Sequence, residues 1–114
     1  MVKGLVWFTD GSRTAEGTGT RVYGQSANRR LSISLGKYAT VFQAEVHAIL
    51  DCVHEIETQN QPEKYISICS DSQVAPKALQ AVKTSPLVWQ CQQVLNGIST
   101  QHTVGLYGSL DMPM

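Results

Sequence analysis

The sequence has few cysteines, and their arrangement excludes two classes of protein. The three cysteines, Cys52, Cys69 and Cys91, are odd in number and widely spaced. This spacing forms neither a disulfide framework nor a zinc-binding pattern. Cys69 lies in an apolar segment and is predicted to be a buried thiol. Unpaired buried thiols are typical of a reducing, intracellular compartment, which we expect for this protein.

Long apolar runs are also absent. The first residues carry one lysine and a short apolar segment that Asp10 interrupts, which fits neither a signal peptide nor a membrane span. We find no internal repeat, linker or low-complexity segment. A chain of 114 residues is long enough for one hydrophobic core. A single soluble domain is therefore predicted.

The chain has no net charge, because nine basic residues balance nine acidic ones. This balance excludes a globally basic nucleic-acid-binding protein. The charge is uneven, however: residues 1–50 carry a net +3 and residues 51–114 a net −3. A local basic face is one interpretation, and ordinary solvated surface charge is the other. Nucleic-acid binding through Arg13, Arg29 and Arg30 should be weak and strongly dependent on salt.

Hydrophobic periodicity predicts the element order βββαβα(α)β. Strands are predicted at residues 5–9, 17–24, 31–35, 65–69 and 102–107, and helices at 40–58, 72–82 and 86–97. Short polar turns join the first three strands, which favours an antiparallel meander. The helical connections that follow favour parallel pairing with right-handed crossovers. The predicted fold class is α/β, a five-stranded mixed sheet with flanking helices.

Three acidic residues lie where this order would bring them together. Asp10 follows the first strand, Asp71 follows the fourth, and Glu45 lies on the first helix. Taken singly, Asp10 is typical of a turn and Asp71 of a helix cap. Together they predict a site at neighbouring carboxyl ends of adjacent strands. Converging carboxylates repel one another unless a hard cation lies between them, which favours Mg²⁺ or Mn²⁺.

The segments around these acids resemble the type 1 ribonuclease H family. The matching segments are Phe8-Thr9-Asp10-Gly11-Ser12, Phe42-Gln43-Ala44-Glu45 and Ser70-Asp71-Ser72-Gln73. The order and spacing of the elements also match, over about residues 1–107. The form Val41-Phe42-Gln43-Ala44-Glu45 is most similar to the ribonuclease H domain of non-LTR retrotransposon polyproteins.

This resemblance implies an RNase H-like fold and an endonuclease that cuts the RNA strand of an RNA–DNA hybrid with two metal ions. Asp10 would bridge both Mg²⁺ or Mn²⁺ ions, Glu45 would hold one, and Asp71 would hold one and orient the nucleophile. The hybrid backbone would be held by groups at Gly11, Ser12, Ser72 and Gln73. The 2′-hydroxyl would distinguish RNA from DNA. We expect a monomeric domain, away from membranes, that belongs to a longer reverse-transcriptase polyprotein.

Two family features have no counterpart in the sequence: a fourth Asp on a last helix, and a His loop before it. Residues 1–107 are therefore interpreted as an incomplete RNase H-like domain whose last helix is missing, and residues 108–114 as a tail without native pattern. We hypothesise that the tail arose by a frameshift. Loss of one base from codons for the family segment Trp-Val-Pro-Gly-His-Ala gives Gly-Ser-Leu-Asp-Met-Pro, as at residues 108–113.

No other residue is expected to replace these features. Asp111 lies just beyond the last strand and off any helix, and His102 lies at the start of that strand. His47 and His54, on the first helix, are expected to pack or face solvent. Hydrolysis is therefore expected to be impaired. The alternative is an inactive RNase H-like fragment that only binds nucleic acid or metal. A transposase or integrase core fits less well, because its third acid comes from a late helix.

Overall fold

The fold has five strands and three helices in a computed structural model that describes residues 5–14, 17–24, 29–36, 40–59, 64–79 and 85–108. The strands are β1 (Leu5–Thr14), β2 (Gly17–Gly24), β3 (Arg29–Gly36), β4 (Tyr65–Ser70) and β5 (Thr103–Tyr107). The helices are α1 (Val41–Gln59), α2 (Val74–Ala78) and α3 (Pro86–Ile98). The predicted element order is confirmed. The predictions for residues 109–114 lie outside the described residues.

The five strands form one mixed sheet in the order β3-β2-β1-β4-β5. The pairs β1–β2 and β2–β3 are antiparallel, and the pairs β1–β4 and β4–β5 are parallel. The meander and the parallel half are therefore both confirmed. This order places β1 at the centre of the sheet, beside β4, as the helical connections predicted.

Strand β1 is longer than predicted, and it continues through Gly11, which lies outside the predicted strand. The sequence predicted that the strand ends at Thr9, but β1 continues to Thr14. Its parallel ladder with β4 ends at the pair Thr9–Ser70, whereas its antiparallel ladder with β2 continues through Gly11. Backbone pairing along one edge is sufficient to keep Gly11 extended. Asp10 thus lies at the end of one ladder and within the other.

Helix α1 begins with a reciprocal pair of hydrogen bonds. The Gln43 N–H donates to Thr40 Oγ1 over 3.0 Å, and the Thr40 N–H donates to Gln43 Oε1 over 2.8 Å. This capping box satisfies two donors that a helix N-terminus otherwise leaves unpaired. It fixes the start of α1 one turn before Glu45. The signal Thr-x-x-Gln was present in the sequence and was missed.

The core lies between the sheet and helices α1 and α3. Trp7 of β1 is fully buried and belongs to a cluster with Val53 and Ile56 of α1 and Ile98 of α3. A second cluster joins α1 to the other helices through Val46, Ala75 and Cys91, among others. The first cluster packs α1 against the sheet, and the second packs α1 against α2 and α3.

The two later helices differ from prediction at their ends. Helix α2 starts at Val74, whose N–H donates to Ser72 Oγ over 3.1 Å, and Pro76 lies in its first turn. The residues predicted to extend this helix lie outside the described ones from position 80. Ser85 caps α3 as predicted, since its Oγ accepts from the Val88 N–H at 3.4 Å. Gly97 lies inside α3 rather than ending it.

The cysteines confirm the prediction of unpaired thiols. Cys52, Cys69 and Cys91 are all buried and free. Burial raises the pKa of the Cys91 thiol to about 12, so this thiol stays protonated at neutral pH. Among the histidines, His54 is exposed, while His47 and His102 are partly buried. Within the described part of the chain, none of the helices is long and apolar enough to cross a membrane.

Candidate metal centre

Asp10, Glu45 and Asp71 converge on one point. One carboxylate oxygen from each residue can be chosen so that all three lie within 4.8 Å of one another. The predicted convergence is therefore confirmed as geometry. Glu45 is buried, Asp10 is partly buried and Asp71 is exposed, so the cluster opens to solvent on one side.

Asp71 is held beside Asp10 by one backbone contact beyond the sheet. Its N–H donates to the Thr9 carbonyl oxygen over 3.2 Å, immediately after the last Thr9–Ser70 pair of the β1–β4 ladder. The contact extends the pairing of the two strands by one residue. Neighbouring strands therefore deliver Asp10 and Asp71 to the same edge.

Gly11 allows helix α1 to approach β1 at the position of Glu45. A Cβ atom at Gly11 would lie 2.4 Å from the Ala44 carbonyl carbon and 2.4 Å from the Glu45 nitrogen. Real Cβ atoms do not approach backbone atoms so closely, so only glycine fits. The Gly11 N–H also donates to the Glu45 carboxylate. Gly11 thus places Glu45 beside Asp10, a role that sequence reasoning missed.

Ser70 is a second residue of the site that sequence reasoning missed. It is fully buried at the end of β4, and its Oγ donates to Glu45 Oε2 over 3.4 Å. The same Oγ accepts from the Ser72 N–H at 3.2 Å. Ser70 therefore joins the turn after β4 to the helix acid. A hydroxyl at the last position of an otherwise apolar strand was the available signal.

The three carboxylates raise one another's proton affinity. A hydrogen bond with Asp71, burial and the charge of Asp71 raise the pKa of Asp10 to about 6, while the Arg21 charge opposes the shift. Burial raises the pKa of Asp71, and its hydrogen bond with Asp10 opposes that shift. Asp10 and Asp71 therefore share a hydrogen-bonded proton. Burial also raises the pKa of Glu45, against hydrogen bonds from Asp71, Gly11 and Ser70.

This donor set fits a hard divalent cation. Carboxylate oxygens are the ligands that Mg²⁺ and Mn²⁺ prefer, and the cluster supplies three of them with one side open to water or substrate. A cation among the carboxylates would favour their charged forms and so oppose the effects of burial and mutual charge that now raise their pKa values. The residues present are therefore suited to hold such an ion.

The residues predicted to hold a nucleic-acid backbone surround the cluster. Ser12, Ser72 and Gln73 are partly buried beside the acids, and Gly11 is buried. The Gly11 N–H is directed to Glu45 and its Cα faces α1. Gly11 thus makes a contact within the chain, while Ser12, Ser72 and Gln73 each lie within two residues of Asp10 or Asp71 in the sequence.

Solved structures share this architecture, although sequence comparisons find nothing. Neither a protein-family model nor a curated protein matches the chain. RNase H1 from the archaeon Halobacterium salinarum superposes with a TM-score of 0.64 at 16% identity, over 90% of this chain and 82% of that one. The N-terminal RNase H domain of Rv2228c from Mycobacterium tuberculosis gives 0.64 at 15%, over 96% and 87%. The chain therefore has the RNase H-like fold.

Proposed function

We propose that the chain is a metal-dependent nuclease of the ribonuclease H family, acting on the RNA strand of an RNA–DNA hybrid. The observation that carries this proposal is the carboxylate cluster, whose oxygens lie within 4.8 Å at one edge of an RNase H-like sheet. The two similar structures are both named as RNase H proteins. Their names support the choice of substrate.

Each acid has a role that its position supports. Asp10 would contact two ions, while buried Glu45 would hold one and exposed Asp71 would hold one and orient the attacking water. Bound Mg²⁺ or Mn²⁺ supplies activation of water and stabilisation of the leaving 3′ oxygen. Ser12, Ser72 and Gln73, which are partly buried and lie within two residues of Asp10 or Asp71 in the sequence, would contact the phosphate backbone. Gly11 and Ser70 act as positioning residues for Glu45.

The charge state of the cluster makes metal binding dependent on pH. Without metal, Asp10 is protonated at pH values below about 6, because its pKa is raised to about 6. Carboxylates must lose their protons to bind a cation, so affinity for Mg²⁺ should increase as the pH rises through about 6. Activity should follow the same direction.

We also propose the origin, the cellular compartment and the oligomeric state of the domain. The segment Val41-Phe42-Gln43-Ala44-Glu45 supports an origin in a non-LTR retrotransposon polyprotein. Three buried, free thiols support an intracellular compartment. We expect a monomer.

A second candidate is an RNase H-like module that binds nucleic acid or metal without hydrolysis. The observation that favours it is the size of the cluster: among the described residues it contains three acids, whereas the resemblance implies four. A missing ligand would weaken one of the two ion sites while leaving the other.

A cleavage assay separates the two candidates. The test uses a hybrid with a labelled RNA strand, with Mg²⁺ or with a chelator, at low salt. We expect metal-dependent cleavage, slow relative to a family member with four site acids and lost in Asp10→Asn. Glu57→Gln, which removes an exposed acid of α1 outside the cluster, is the matched control. Binding without cleavage would favour the second candidate, and cleavage that persists in Asp10→Asn would overturn the site.

A further inference from the structure

Two aromatic residues lie beside the carboxylates, on the face of the sheet opposite α1. Phe8 and Tyr23 are directly paired on β1 and β2, with ring centroids 6.2 Å apart and planes 25° from parallel. Side chains alternate along a strand, so Phe8 shares the face of Asp10, while Trp7 points into the core. Both aromatic residues are partly buried, which leaves part of each ring accessible.

A hollow of about 290 Å³ connects these rings to the metal centre. Its lining includes Phe8, Tyr23 and Cys69, and also two of the cluster acids, Asp10 and Asp71. Cys69 is paired with Phe8 across the parallel ladder, and its small side chain leaves the space beside the ring open. A group seated in the hollow would therefore be next to the phosphate that the metal centre acts on.

Arg21 gives the hollow a cation. It lines the hollow, it is exposed, and it is paired with Asp10 across the β1–β2 ladder. An anion in the hollow would therefore meet the positive charge of Arg21.

We propose that this hollow binds an unpaired nucleotide that flanks the hybrid. The base stacks against Phe8, and its phosphate pairs with Arg21. Aromatic side chains on a sheet are a recurrent platform for unpaired bases, and stacking tolerates any sequence. Bases inside a duplex are already stacked on their neighbours and cannot present a face to the rings. The placement beside the scissile phosphate depends on the proposed function, whereas the stacking itself does not.

Binding assays without metal test the proposal apart from catalysis. Three fluorescently labelled hybrids are compared by anisotropy in a chelator: one blunt, one with a short single-stranded overhang, and one whose overhang lacks bases. We expect the overhang to tighten binding by about tenfold, the order of one stacked base. The overhang without bases should lose most of this gain.

Variants then assign the gain to the hollow. Phe8→Leu should remove the advantage of the overhang while leaving blunt binding unchanged. Tyr65→Leu is the matched control, because Tyr65 is 41% exposed on the same face but at the opposite end of β4. Thermal melting establishes that Phe8→Leu is folded; if it is not, the comparison of overhangs with and without bases in the unmodified chain decides.

Three outcomes of these assays would overturn the proposal. Equal affinity for blunt and overhung hybrids would show that the hollow binds no unpaired nucleotide. An equal gain in affinity from the overhang without bases would show that the protein contacts only the phosphates of the overhang. An equal loss in Phe8→Leu and Tyr65→Leu would indicate a general surface effect. A tighter overhang in a chain that never cleaves hybrids would refute the proposed function but leave this subsite standing.

Discussion

The two faces of strand β1 differ in what they contact. On one face, Leu5 and Trp7 are buried in the core and Gly11 contacts the backbone of α1. On the other, Phe8 and Asp10 are partly buried and line an open hollow. A single strand thus separates packing from chemistry by the alternation of its side chains.

This separation gives substitutions on the two faces opposite consequences. A change on the packed face should lower stability first and disturb the metal centre only through movement of α1. A change on the open face should lower binding or activity with a small effect on folding. Variants on each face measure that contrast, and the largest effect is expected on the packed face.

The packed face should dominate stability. Trp7 is fully buried, so Trp7→Ala should lower the free energy of unfolding by about 3–5 kcal/mol. Phe8→Ala, on the adjacent position of the open face, should cost about half of that or less, because part of the ring is already solvated. Urea unfolding of both variants measures the ratio. Equal losses would contradict the division between the faces.

Gly11 should be intolerant of any side chain. Gly11→Ala forces a Cβ against the α1 backbone at Ala44 and Glu45, which should cost about 1–3 kcal/mol and displace Glu45. Loss of Mg²⁺ binding should accompany the loss of stability. Gly97→Ala is the matched control. Gly97 lies inside α3, and a Cβ atom there would meet nothing within 4 Å. That variant should gain about 0.5–1 kcal/mol.

The capping hydrogen bonds of α1 should contribute less to the free energy of unfolding than the packed face of β1. Thr40→Ala removes the acceptor of the Gln43 N–H and should cost about 1 kcal/mol. Because α1 carries Glu45, a small loss of metal affinity should follow. Thermal melting with and without Mg²⁺ measures both effects. Thr58→Ala removes a hydroxyl that bonds to the His54 carbonyl near the end of the same helix, and should leave metal affinity unchanged.

On the open face, the raised pKa of Asp10 should make the free energy of unfolding depend on pH. The pKa of Asp10 is 3.8 in an unperturbed chain and about 6 in the folded, metal-free protein. Between these values the folded state binds more protons than the unfolded state, so this group lowers the free energy of unfolding as the pH rises from about 4 to about 6. Asp10→Asn should remove this part of the decline.

Urea unfolding in a chelator, repeated across that pH range, measures the effect. Glu57→Gln, an exposed acid outside the cluster, should retain the slope of the unmodified chain. An Asp10→Asn variant with an undiminished slope would show that the shared proton is elsewhere.

The sequence was informative where a pattern depends on its nearest neighbours in the chain. Alternation and helical spacing predicted the element order, and the crossover rule predicted that β1 and β4 are adjacent. From that adjacency the meeting of Asp10, Glu45 and Asp71 followed. No contact between distant residues had to be known beforehand.

What the sequence did not predict depends on contacts between distant elements. The predicted strand over residues 5–9 does not include Gly11, whose partner on β2 and contact with the α1 backbone decide its role. The Ser70 hydroxyl is similar, since its bond to Glu45 crosses from β4 to α1. The hollow beside Phe8 also requires the register of neighbouring strands, which no local pattern specifies.

The central claim is that three carboxylates on this edge form one divalent-cation site. The most direct measurement is the melting temperature at about pH 8 as Mg²⁺ is added, for the unmodified chain and for Asp10→Asn. A cation that binds only the folded state raises the melting temperature with concentration. We predict a clear rise for the unmodified chain and little or none for Asp10→Asn. A melting temperature that Mg²⁺ does not change, or that rises equally in both proteins, would contradict the account.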